Sequence, residues 1–174
     1  MSWTTLAPMV EILRLRKGPQ DLPAHLGVLG FWMGASVVTG ILVAASIHGL
    51  LASVFLSILD LAILYLFTLS LLGMRGLTYR WLQTYTALVG VSTLLALVMA
   101  VLIRLFPPDL INQQIPALGM LFYLIVIVWL LVTFGHILTQ SLRLSGRMSG
   151  VLIALIFVMV SSFLTQMALG IRAA

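Results

Sequence analysis

The chain has 174 residues, 62% of them hydrophobic and only 7% charged, with a mean hydropathy of +1.22. Soluble globular usage, in which about a quarter of residues are charged, is excluded, and a lipid bilayer is the solvent. The net charge of +5 does not indicate a nucleic-acid partner, because the nine basic residues are scattered between apolar blocks; the absence of cysteine excludes disulfides, thiolate metal sites and a cysteine nucleophile.

In chain order, the first element is a cytoplasmic amphipathic segment over residues 1–25. Trp3, Leu6, Val10 and Leu13 recur at helical spacing, with Glu11, Arg14 and Lys17 turned toward another face. The pattern predicts a short helix from about Pro8 to Lys17 lying in the membrane interface, its leucines in lipid and Arg14, Arg16 and Lys17 near anionic headgroups. Gly18-Pro19 is expected to stop that helix, and Pro23 to end the connector.

A five-helix transmembrane domain over 26–174 follows, with spans expected at about 26–47, 50–73, 81–103, 117–141 and 148–171. Each is near the ~20 residues needed to cross a ~30 Å hydrocarbon core. Between the first two only "SIHGLL" interrupts the apolar run, so His48-Gly49 predicts a tight hairpin. "FPPDLINQQIP", residues 106–116, is the one far-side loop of any size and reads as a connector. The fold class is therefore an all-α integral membrane protein: five transmembrane helices preceded by a short amphipathic interfacial helix.

An N-terminus in the cytoplasm places Arg14, Arg16, Lys17, Arg75, Arg80, Arg143 and Arg147 inside and only Arg104 and Arg172 outside. The positive-inside bias thus predicts N-in, C-out. The first apolar block is too long for the core of a secretory signal, so it is expected to stay as a span.

Asp60, near the centre of the second span, is the one acidic residue within the spans. An ionised carboxylate there costs about 2.5–3.5 kcal/mol on insertion scales, so it should face the bundle, protonated or hydrogen-bonded. Laying the spans at equal depth brings Ser36, Thr39, Ser92, Thr93, Ser161 and Ser162 to the same level, a polar layer able to donate to it. That layer is either a proton or cation site or a hydrogen-bonded pin fixing helix rotation, and the lack of a second intramembrane carboxylate or lysine favours the pin. His136 lies about 13 Å from Asp60 in depth, too far for a dyad, and with Gln140 is expected to cap the cytoplasmic end. Gly30 and Gly34, continued by Gly40 and Ala44, form a small-residue row for helix packing within the chain or along a dimer seam.

No HExxH, GxSxG, Walker loop or carboxylate cluster is present in the sequence, so no catalytic residue, metal or cofactor is expected. The "LRLRKGPQDLP" segment followed by "HLGVLGFWMG" and five closely spaced spans resembles the bacterial branch of the Yip (Ypt-interacting-protein-like) membrane family. The resemblance implies the five-span fold, a bacterial cytoplasmic membrane, and a noncatalytic role organising or binding lipids, other integral membrane proteins or a second copy. GTPase binding does not carry over, because the acidic cytosolic region of the eukaryotic relatives has no counterpart here. The alternatives are a small transporter or channel component using Asp60, and an accessory subunit of a larger membrane complex.

Overall fold

The computed structural model describes residues 3–108 and 116–173, and their side chains except at 3–5, 46–47 and 171–173. Asp109, Asn112, Gln113 and Gln114 of the far-side loop lie outside the described residues.

The chain is an integral membrane protein built from helices: α1 (Trp3–Leu13), α2 (Leu26–His48), α3 (Leu50–Met74), α4 (Trp81–Leu105), α5 (Ala117–Ser141) and α6 (Arg147–Ala173). The last five are long and apolar enough to cross a membrane, within two residues of the expected bounds. At 1.5 Å per residue they measure roughly 35–40 Å. Seven of the nine basic residues sit in the α1–α2, α3–α4 and α5–α6 connections or, for Arg147, at the first residue of α6; this is the basic end of the bundle, and the opposite end is called the far end.

The α2–α3 hairpin turns on a single residue. Gly49 takes φ 78°, ψ 166°, a region closed to residues with a Cβ, and its carbonyl accepts both the N–H and the hydroxyl of Ser53. α4 is the hub, touching α1, α2, α3 and α5. Every residue from Thr84 to Val91 is buried, so this stretch is enclosed on all sides. Its hydroxyls are paired: Thr86 and Thr93 donate to the carbonyls of Leu82 and Val89 one turn back, while Thr84 also meets Ser141 of α5 and Tyr85 the Leu61 carbonyl of α3. α5 and α6 cross tightly near the basic end, where a Cβ on Gly135 would press on the Val151 backbone and one on Gly150 on the Gly135 carbonyl.

The N-terminal segment departs from expectation in extent and in position. α1 begins at Trp3, ahead of Pro8, which removes only one intrahelical bond; it ends at Leu13 because Leu15 turns left-handed at φ 61° and Arg16 N–H closes on the Glu11 carbonyl. Gly18-Pro19 therefore stops no helix. It opens a 3-10 turn, Pro19–Asp21, in which the Asp21 carboxylate accepts Gly18 N–H at 2.8 Å. Of the residues expected to dip into lipid, Leu6 and Leu13 pack half-buried against the bundle; the fully buried positions are Met9 and Ile12, to one side of that face, and Met9 lies where Gly90 of α4 leaves room. Trp129, midway along α5, donates to the Leu13 carbonyl at 3.2 Å, and Gln83 donates to that of Leu22 at 2.8 Å. Residues 3–25 are thus an arm sewn onto α4 and α5, with Arg14, Arg16 and Lys17 left exposed at its edge.

The row of small residues on α2 also divides. Gly40 lies against Ser57 of α3, whereas a Cβ on Gly30 or Gly34 would meet nothing. The buried face of α2 runs through Leu29, Trp32 and Thr39, and a step of about 100° per residue turns Gly30 and Gly34 away from it. These two glycines pack no helix within the chain.

Candidate functional site

Asp60 stands eleventh of the 25 residues of α3, on the same face as Ser53 and Ser57. That face borders a cleft of about 440 Å³ to which all five spans contribute. α2 supplies Ser36, Thr39 and His48, α4 Ser92 and Met99, α5 Val126 and Leu130, and α6 Thr165. The cleft runs from Asp60 toward the far end, where His48 lies at the close of α2. On the basic side it stops: Leu61, Leu64, Tyr85 and Leu88 are buried there, and Tyr85 Oη donates to the Leu61 carbonyl at 2.8 Å.

The polarity of the lining follows from where its hydroxyl protons go. Ser53 donates to the Gly49 carbonyl, Ser57 to Ser53, Thr39 to Ser36 and Ser92 to Val89, at 2.7–3.0 Å. What these side chains offer beyond their own helices is oxygen lone pairs. Asp60 Oδ1 accepts from Ser161 Oγ at 3.0 Å, which ties α3 to α6; among the described residues no hydrogen bond reaches Oδ2. Asp60 is exposed at this point, and the cleft is the space its carboxylate meets. The site is therefore rich in acceptors and suited to a cation or a donor.

Of the seven residues expected in the polar layer, Asp60, Ser36, Thr39 and Ser92 line the cleft and Ser161 holds the carboxylate. Thr93 is buried and bonded within α4, and Ser162 is exposed and lines no part of the cleft. Ser53, Ser57, His48 and Thr165 escaped the sequence reading. Ser53 and Ser57 precede Asp60 by seven and three residues, a spacing that shares its helix face; a search confined to one depth passes over a cleft that runs along the bundle axis.

His136 belongs to the arm and not to this cleft. Its Nε2 lies 3.0 Å from the Lys17 carbonyl and 2.9 Å from Gln140 Nε2, serving one or the other according to where its proton sits, and Gln140 Oε1 accepts from Gln20. Among the described residues no three His, Asp or Glu side chains converge on a point that would hold a metal ion. Comparison with family models, with curated proteins and with solved structures returns no match, so the site is read from its chemistry.

Proposed function

We propose that this is a noncatalytic membrane protein that binds a small cation or hydrogen-bond-donating solute at Asp60, as a component of a transporter or channel. The observation that carries the reading is the polarity of the cleft: Thr39, Ser53, Ser57 and Ser92 spend their hydroxyl protons on their own helices, beside a carboxylate with one oxygen that no described hydrogen bond reaches. A residue that served only as a rotation pin would be enclosed by its partners, and the cost of a mid-membrane carboxylate is better offset by a ligand's positive charge. The excess of arginine and lysine at the basic end assigns that end to the cytoplasm, so the cleft opens outward; the Yip-like resemblance assigns a bacterial cytoplasmic membrane.

The test is proton and monovalent-cation flux into proteoliposomes. Asp60→Asn, which keeps the hydrogen bond and removes the charge, abolishes flux, and Ser161→Ala reduces it, while melting temperature stays within a few degrees of wild type. Flux unchanged in Asp60→Asn would return Asp60 to a structural pin.

A second reading, that the protein organises or binds other membrane proteins in the Yip-like manner, is favoured by a different surface. Gly30, Gly34, Val38 and Leu42 lie on exposed parts of α2, where small residues permit close approach of another helix, from a second copy or another integral membrane protein. Gly34→Cys in this naturally cysteine-free chain should crosslink in native membranes, and its failure to do so removes the support of this surface.

A further inference from the structure

A second cleft, of about 480 Å³, opens at the basic end between the α3–α4 and α5–α6 connections. Arg75 follows the last residue of α3, Arg143 and Ser145 come from the α5–α6 connection, and Ser149 from the first turn of α6; Leu144, Leu152 and Ile153 complete the walls. Both arginines are exposed, and among the described residues neither is paired with a carboxylate. The described acids are engaged elsewhere: Glu11 lies 3.7 Å from Arg14, Asp21 caps Gly18, and Asp60 is in the bundle. Arg80, at the same end, differs, because its guanidinium donates to the carbonyls of Gln140 and Ser141.

Two further features give the cleft a direction and a chemistry. Arg143 sits at φ 52°, the left-handed position after a helix where glycine is the usual residue, so a side chain is kept there against backbone preference. Beyond the arginines, Leu152 and Ile156 follow one another on the same side of α6 at 54% and 55% exposure, an apolar track leading toward the middle of the bundle.

We propose that this cleft binds the phosphodiester of an anionic phospholipid. Arg75 and Arg143 donate to the phosphate oxygens, Ser145 and Ser149 add hydroxyl donors, and an acyl chain lies along Leu152 and Ile156. The two uncompensated positive charges favour a headgroup of net negative charge over a zwitterionic one. Inorganic phosphate offers the same oxyanion but nothing for the apolar track, which is why a lipid is assigned.

The full chain, purified in mild detergent, is titrated with phosphatidylglycerol, phosphatidylcholine or inorganic phosphate, and followed by native mass spectrometry and thermal melting. Wild type retains phosphatidylglycerol over phosphatidylcholine; Arg75→Gln with Arg143→Gln weakens that retention at least about tenfold, and Arg104→Gln at the far end does not. Arg143→Gly guards against misfolding, since it relieves the backbone: it melts no lower than wild type without lipid yet loses most of the rise that phosphatidylglycerol gives. Equal retention by the double variant, or a full lipid-dependent rise in Arg143→Gly, would overturn the site. A rise with inorganic phosphate as large as with phosphatidylglycerol would overturn its assignment to lipid.

Discussion

The two halves of the bundle solve the problem of a short membrane protein differently. In the basic half, α4 is enclosed by α2, α3, α5 and the arm, Met9 and Ile12 are fully buried, and the buried hydroxyls are paired within their own helix, as Thr86 is, or with a neighbouring one, as Tyr85 is. In the far half no extra helix among the described residues fills the centre, and the space left over is the cleft above Asp60. Leu61, Leu64, Tyr85 and Leu88 fill the axis in the basic half, where the arm also covers α4 and α5, and nothing described closes the other half. The contrast predicts a membrane protein accessible from one side.

The largest effect should come from the α5–α6 crossing in the packed half. Gly150→Leu places a side chain where the Gly135 carbonyl already stands, and no rotamer avoids a clash that begins at Cβ. We expect a loss of more than about 3 kcal/mol, read as the disappearance of a monodisperse folded species in detergent.

Next, one substitution made in both halves separates them. Met9→Ala empties a fully buried position against Gly90 and should cost about 2 kcal/mol. Met99→Ala enlarges a space that is already a cleft and should cost under about 1 kcal/mol. Equal losses in denaturant-dependent unfolding would erase the distinction between a filled and an open half.

Smaller effects sharpen the account of the arm. Leu15→Gly replaces a residue held at φ 61° and should raise stability by up to about 1 kcal/mol in the same assay, provided the arm is docked as described. Trp32 is 2% exposed, and among the described residues its Nε1 has no hydrogen-bond partner. Trp32→Phe sheds that unpaired donor and should cost less than Met9→Ala, since the lost ring volume is partly offset. A larger cost would mean that the indole N–H is satisfied after all.

These elements also show what was legible in the sequence. The five spans were readable because charge flanks hydrophobic blocks of the right length, and Arg80, Arg104, Arg143 and Arg147 mark borders that the helices respect within two residues. The arm's amphipathic face was readable, but its destination was not. An apolar face looks the same whether it meets acyl chains or a helix, and the groups that decide the matter, Gln83, Gly90 and Trp129, lie about sixty to one hundred and twenty residues from their partners in the arm. Asp60 announced itself by its charge. Ser36, Thr39, Ser92 and Ser161 share its depth and its site, whereas Thr93 and Ser162 share only the depth, because depth says nothing about which way a side chain points round its helix. Of the two roles expected for Gly30 and Gly34, packing within the chain drops out for the same reason, since spacing defines a face while the neighbours of that face are set by the whole bundle, and a seam with another chain is left.

The central claim is that water and solutes reach Asp60 from the far end and not from the basic end. The natural absence of cysteine makes it directly measurable: single variants Ser57→Cys and Ser92→Cys in the cleft, and Thr86→Cys in the packed half, are treated in oriented membranes with a membrane-impermeant thiol reagent. The account predicts labelling of Ser57→Cys and Ser92→Cys from the far-end side alone and no labelling of Thr86→Cys from either side. Protection of both cleft positions from the far-end side, or their labelling from the basic side, would contradict it.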